Sequence, residues 1–123
     1  MKTWTPSPPA LVRVFDRVAQ SSRGTERRKM FGYPALFVNG TMFAGLVRDT
    51  MILRLGERDR DRFLEVPGAK PFVAMSGRRM KQWVVVPPAM VESVPMLGRW
   101  LVKAQTHGRS LPPKPARQTR AAR

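Results

Sequence analysis

The sequence contains no cysteine and one histidine, and acidic residues are scarce, with eight Asp and Glu among 123 residues. The absence of cysteine excludes disulfide bonds and every metal or redox site that depends on a thiolate. No apolar run approaches the ~18 residues that a membrane-spanning helix needs, and the N-terminus lacks the continuous apolar segment of a signal peptide. We therefore expect a cytoplasmic protein that does not enter a membrane.

Residues suited to catalysis or metal binding are equally few. A Ser-His-Asp triad would have to use His107, which lies near the end of a predicted helix, where a positive charge complements the helix dipole. Ser76-Gly77 lacks the Gly-x-Ser-x-Gly pattern of a nucleophile elbow. Asp59-x-Asp61 lacks the glycine and the distal glutamate of a calcium loop. We therefore expect no catalytic residues, no metal and no cofactor, and a function other than catalysis.

Basic residues, by contrast, are abundant, and 23 Lys and Arg give a net charge of +15. Residues 108–123 hold five of them and no acid, which leaves 18 basic and 8 acidic groups in the other 107 residues. This charge favours an acidic partner such as nucleic acid or anionic lipid. It can equally be compositional, because arginine far outnumbers lysine and a GC-rich genome favours arginine.

Hydrophobic periodicity predicts one α+β domain over residues 1–107, followed by a disordered basic tail over 108–123. Asn39-Gly40 lies between apolar runs and predicts a hairpin, because a type I′ turn needs positive φ at both central residues. Pro95 should cap, kink or split the last helix. Helices are predicted over 8–22, 56–64 and 89–106, and strands over 35–38, 42–48, 51–55, 72–75 and 82–86.

The order of these elements, α-β-β-β-α-β-β-α, determines the expected fold class. An antiparallel sheet of about five strands, with helices packed on it in two layers, is the most economical arrangement. The exposed edge of such a small sheet allows a homodimer, although nothing in the sequence requires one.

A set of ordered motifs resembles the N-terminal domain of the TfoX/Sxy family. The similarity covers about residues 10–106, and the motifs become specific as a set because they occur in this order. They are Arg28-Lys29-Met30-Phe31-Gly32-Tyr33, Leu36 to Ala44 with its Asn-Gly turn, Leu53-Arg54-Leu55, Pro71 to Met80 with Met75-Ser76-Gly77, and Trp83 to Pro87.

The resemblance implies a small α+β domain without recognised catalytic residues. In the best-known members it is associated with regulation of natural-competence genes, alongside the cyclic-AMP receptor protein. Those members carry a second, C-terminal helical domain, and we expect this chain to be a single-domain member. Tyr33 stands where the family often has a second glycine, and Pro34 follows it.

Two basic segments are candidates for contact with nucleic acid or another partner. One precedes the Asn-Gly hairpin and the other precedes the last strand, and each is either a phosphate-binding loop or a set of solvated charges. Together they form one basic face if the strands that they precede lie close in the sheet. The segments comprise Arg27, Arg28 and Lys29, and Arg78, Arg79 and Lys81.

Aromatic residues and methionines near the strands have two interpretations each. Phe31, Tyr33 and Trp83 either stack on nucleic-acid bases or pack in the core. The eight methionines either fill the core or line an apolar groove for a partner.

Two hypotheses about function follow. The first is a non-enzymatic regulatory domain that contacts a protein partner, such as a transcription complex, with the basic tail adding affinity for nucleic acid. The alternative is a nucleic-acid-binding protein without sequence preference, which uses a basic face and the basic tail.

Overall fold

A computed structural model describes residues 5–20, 22–74, 77 and 79–112, and within these ranges the chain forms six strands and four helices. The predicted α+β class with an antiparallel sheet is confirmed. The helices are α1 (Pro9–Ala19), α2 (Glu57–Phe63), α3 (Pro88–Val91) and α4 (Val94–Ser110). The strands are β1 (Glu26–Met30), β2 (Tyr33–Val38), β3 (Thr41–Val47), β4 (Thr50–Arg54), β5 (Lys70–Val73) and β6 (Arg79–Val85).

All six strands form one sheet in the order β1-β2-β3-β4-β6-β5. The predicted hairpin at Asn39-Gly40 is confirmed, since it joins β2 to β3 with φ angles of 52° and 76°. A second two-residue turn, Phe31-Gly32, joins β1 to β2 with φ angles of 55° and 87°. Both turns have the positive φ values of type I′ geometry, which matches the natural twist of paired strands.

Strand β1 is the one element that sequence periodicity did not predict. It pairs antiparallel with β2 at the edge of the sheet, and four of its five residues are exposed. Those four, Glu26 to Lys29, are all charged, so the strand lacks the apolar alternation that reveals a half-buried strand. Charged residues are typical of edge strands, because they discourage pairing with another chain.

The helix predicted over 89–106 is divided in two at Pro95. Helix α3 ends at Val91 and α4 begins at Val94, so that Pro95 lies in the first turn of α4, where its missing N–H is not needed. Helix α4 continues to Ser110, so residues 108–110 belong to this helix and not to a tail. The remainder of the predicted tail, from residue 113, lies outside the described residues.

Helix α4 packs on one face of the sheet and forms the core with it. Leu97, Leu101 and Ala104 of α4 are buried, and Phe15 and Val18 of α1 join the same core. Near the end of α4, a Cβ atom on Gly108 would lie 3.0 Å from Val38 Cγ1 and 3.3 Å from Phe43 Cβ. None of the described helices is long and apolar enough to cross a membrane.

Two glycines of α4 test this close packing. Gly108→Ala should lower the free energy of unfolding by about 1–3 kcal/mol, because the new methyl group overpacks the contact with the sheet. Gly98→Ala should raise it by about 0.5–1 kcal/mol, because a Cβ there meets no atom within 4 Å and alanine favours helix. Urea unfolding of both variants measures this. Equal effects of the two substitutions would contradict the packing described.

Candidate functional site

The sheet has a face covered by α4 and an opposite face, which we call the open face. Val38 and Phe43 lie against Gly108 of α4, and so belong to the covered face. Side chains alternate along a strand, and directly paired residues share a face. Phe37 and Met42, which are paired across β2 and β3, therefore lie on the open face. Ile52 and Val85, paired across β4 and β6, lie on it as well.

A groove of about 500 Å³ crosses the open face. Each residue that lines it belongs to a strand, to the β1–β2 turn or to the position directly after β5, so no described helix covers it. All six strands contribute, and the lining is almost entirely apolar. The lining residues are Met30, Phe31, Tyr33, Met42, Leu46, Val47, Ile52, Phe72, Ala74, Met80 and Trp83.

The methionines divide between the two interpretations that the sequence left open. Met51 and Met90 are buried in the core, whereas Met30, Met42 and Met80 line the groove. Methionine is unbranched and polarizable, and so a surface that contains several of them adapts to different apolar partners.

The three candidate aromatic residues also have different environments. Tyr33 is buried, and its hydroxyl donates a hydrogen bond to the carbonyl oxygen of Thr5. Trp83 is half-buried and lines the groove. Phe31 lies at the tip of the β1–β2 turn, and 86% of its surface is exposed. Of the three, Tyr33 alone belongs to the buried core, and it also forms part of the groove lining.

Phe31 also has an unfavourable backbone conformation. Its φ of 55° lies in the left-handed region, which bulky residues rarely adopt and which asparagine tolerates well. A conformation of this kind costs of order 1–3 kcal/mol, and such residues cluster at functional sites. At this position the chain therefore combines backbone strain with an exposed apolar ring.

The first basic segment is divided between the two faces of the sheet. Arg27 pairs with Leu36, which neighbours α1, and its Nε donates to Asp16 Oδ1 at 2.6 Å. Arg28 points to the other side, where its guanidinium lies 5.1 Å from the centre of the Phe37 ring and its Nε donates to Glu26 Oε2 at 2.8 Å. Lys29 is exposed and directly precedes Met30 of the groove.

The second basic segment lies across the sheet from the first. Arg78 is outside the described residues, and of Arg79 only the backbone is described, at the start of β6. Lys81 is exposed and follows Met80 of the groove. Because β3 and β4 separate β2 from β6, the strands that the two segments precede are not neighbours. The described side chains of the two segments therefore do not form one continuous basic face.

A polar cluster lies at the end of the sheet near the Asn39-Gly40 turn. Gln82 Oε1 accepts a hydrogen bond from Arg54 Nε at 2.7 Å and lies 3.3 Å from His107 Nε2. Burial, reinforced by the positive charge of Arg54, lowers the pKa of His107 below its ordinary value, and Asp59 opposes this shift. At neutral pH the imidazole is therefore uncharged. Its role here is to donate a hydrogen bond to Gln82, and not to place a charge on the helix dipole as its sequence position suggested.

A second cavity, of about 570 Å³, lies between α2 and β6. Arg60 lines it, and its Nη1 donates to the carbonyl oxygen of Lys81 at 2.8 Å. The lining mixes charged and apolar side chains, among them Glu57 and Gln82. Within the described ranges, no three His, Asp or Glu side chains come together in a way that could hold a metal ion.

The fold and the groove define a class of protein, a small α+β domain with an open antiparallel sheet and an apolar surface that no described helix covers. Comparison with known families then identifies the particular one. The family model of the TfoX N-terminal domain matches residues 17–107, and the chain belongs to this family. The resemblance noted in the sequence is thereby confirmed. No curated protein matches the chain.

The shifted pKa of His107 predicts a pH dependence of stability. In the unfolded chain His107 takes up a proton near pH ~6.5, whereas in the folded protein it does so at lower pH. The unfolded state therefore binds more protons in this interval, and folding stability falls as the pH is lowered through it.

Replacement of His107 tests this linkage. In His107→Gln an amide can still donate to Gln82, but the group does not titrate. Compared with this variant, the wild-type protein should lose stability between about pH 7.5 and pH 5, measured by urea unfolding at both pH values. Parallel pH profiles of the two proteins would contradict the assignment.

Proposed function

We propose that this chain is a non-enzymatic interaction domain of the cytoplasm, and that it binds a protein component of a transcription complex through the groove on its open face. The observation that carries the proposal is the groove itself, an apolar surface with contributions from all six strands and with none of the described helices over it. Contiguous apolar surface at a groove is typical of interaction sites, because exposure of apolar surface to water is unfavourable.

The composition of the groove favours a protein as the partner. Aromatic residues and methionine are enriched at the centres of protein interfaces, where they fill pockets on the partner. Phe31, Phe72 and Trp83 supply the aromatic part, and Met30, Met42 and Met80 supply the flexible part. A fold alone does not determine function, so this surface is the main support for the proposal.

Family membership suggests what kind of protein the partner is. The TfoX/Sxy resemblance links such domains to competence-gene regulation alongside the cyclic-AMP receptor protein. This supports a partner within a transcription complex and gives no support to an enzymatic role.

Site-specific photo-cross-linking in living cells tests the proposal. Benzoylphenylalanine at position 31 replaces Phe31 with a photoreactive aromatic residue at the end of the groove, and the same residue in place of Val102 serves as a control. Val102 is 49% exposed but lies on α4. We expect position 31 alone to cross-link to a protein of the transcription apparatus. Identical products from both positions, or cross-links only to a second copy of the chain, would contradict the proposal.

The distribution of charge favours a second candidate, which is nucleic-acid binding without sequence preference. The six strands contain seven basic residues and one acidic residue, Glu26. Phosphate contacts by such residues provide most non-specific affinity, and they weaken as salt displaces them. The exposed Phe31 ring beside Lys29 could in addition stack on an unpaired base.

Two variants, each with four basic residues replaced by alanine, show whether DNA contacts the two basic segments or the C-terminal tail. If the two basic segments bind DNA, only the variant of these segments should change the slope of log K against log salt. The slope should become less steep by about 0.9 for each phosphate contact that is lost on duplex DNA. Fluorescence anisotropy with labelled duplex at several salt concentrations measures this. A salt-independent wild-type affinity would exclude the candidate. The variants carry alanine at Arg28, Lys29, Arg78 and Arg79, or at Lys114, Arg117, Arg120 and Arg123.

A further inference from the structure

The groove also indicates the chemistry of its partner. Resting on the function proposed above, we infer that the groove binds an acidic amphipathic helix, which lays an apolar stripe across the open face and places carboxylates near the lysines at its β5–β6 end. The shape of the groove, its charge and the position of Phe31 support this inference separately.

The first argument is the direction of the groove. It begins at the β1–β2 turn, with Met30 and Phe31, passes Met42 and Ile52, and reaches Trp83 at the β5–β6 side. Six strands spaced about 4.8 Å apart span about 24 Å. A helix of about 16 residues has this length. The groove therefore offers a helix about four turns of contact.

A helix fits this surface better than an added strand does. Strand addition uses an edge of the sheet, and the two edges here are β1, which is almost entirely charged, and β5, in which Pro71 has no N–H to donate. The groove, however, runs across the strands and not along an edge. Since helices cover the other face of the sheet, a partner helix on the open face would add a third layer, a common packing arrangement.

The second argument is the charge around the groove. Lys81 is exposed, adjoins the lining residue Met80 and lies two residues from Trp83 of the groove. Lys70 pairs with Val85, and so it lies on the open face as well. The one acidic residue of the strands, Glu26, forms an ion pair with Arg28. Carboxylates on a partner helix would therefore meet unlike charge where the groove reaches β5 and β6.

The same charge disfavours two other occupants. A second copy of the chain also carries a net charge of +15, so a homodimer through this face would bring like charges together. The segment after residue 112 contains basic residues and no acidic one, and it offers the groove no complementary charge. An acidic helix from another protein has neither disadvantage.

The third argument is Phe31, which provides an anchor at one end of the groove. Aromatic residues that enter a pocket on a partner commonly dominate the binding energy of an interface. The Phe31 ring is 86% exposed on a strained turn. Asparagine suits the backbone conformation of this turn better than phenylalanine does, so a variant can remove the ring and keep the turn.

The test uses the full-length protein and a synthetic labelled helix of 16 residues. The peptide carries leucine at positions i, i+4, i+7 and i+11 and glutamate beside this stripe, following the spacing of helix anchors in grooves. One control peptide has the same composition with the leucines scattered, and another has lysine in place of each glutamate. Fluorescence anisotropy should show saturable binding of the first peptide alone, weaker at high salt but not abolished.

Two protein variants locate the binding. Phe31→Asn should weaken binding of the acidic peptide by about tenfold, the effect of losing an interface anchor of ~1.4 kcal/mol. Circular dichroism checks that this variant is folded, which we expect because asparagine suits the left-handed turn. Val102→Asn removes an apolar side chain that is 49% exposed on α4, away from the groove, and it should leave the affinity unchanged.

Several outcomes would overturn the inference. These are equal binding of the lysine or scattered peptide, an unchanged affinity of Phe31→Asn, or a dimer in sedimentation experiments that Phe31→Asn dissociates. If cross-linking from position 31 reaches a transcription protein but the acidic peptide shows no preference, the helix inference fails and the proposed function stands. If the peptide binds at the groove but no such protein is cross-linked, the proposed function fails and the inference about ligand chemistry stands.

Discussion

The close packing of α4 against the middle of the sheet is the contact on which the rest of the structure depends. Gly108 lets the helix backbone approach Val38 and Phe43 so closely that even a Cβ atom would lie only 3.0 Å from Val38 Cγ1. Leu97, Leu101 and Ala104 then become buried on the same face. Because α4 and α1 share this one core, the opposite face of the sheet has no described helix to cover it, and its apolar side chains form the groove.

Charge and apolar surface are arranged together around this groove. The described residues of the two basic segments lie in β1 and in β6, and β2, β3 and β4 lie between these strands in the sheet. An extended phosphate backbone needs a continuous basic track, whereas an amphipathic helix needs an apolar floor with charges along its sides. The second arrangement corresponds better to the positions of Lys70, Lys81 and the lining methionines.

Local chemistry made much of the fold predictable from the sequence. The Asn39-Gly40 hairpin depends on two residues that tolerate positive φ, and Pro95 divides the last helix because it cannot donate a backbone hydrogen bond. Strand β1 escaped prediction because pairing with β2 determines it, and its own charged residues carry no strand pattern. The position of β1 therefore becomes clear only once β2 is in place to pair with it.

The groove was harder to predict for a related reason. Every residue of β2 is buried, so its sequence reads as a continuous apolar run and does not distinguish the covered face from the open face. The methionines gave the one sequence signal, and only the strand pairing separates Met42 of the groove from Met51 of the core. The distance between the two basic segments likewise depends on the order of the strands in the sheet, which the sequence does not reveal.

Methyl NMR of the methionines tests most directly whether the open face is the binding surface. The full-length protein, labelled at its methionine methyl groups, would be titrated with the acidic amphipathic peptide. Our account predicts that the signals of Met30, Met42 and Met80 shift, while those of Met51 and Met90 in the core remain in place. Shifts of the core methionines alone, or of none of the five during saturable binding, would show that the partner binds elsewhere and would contradict the account.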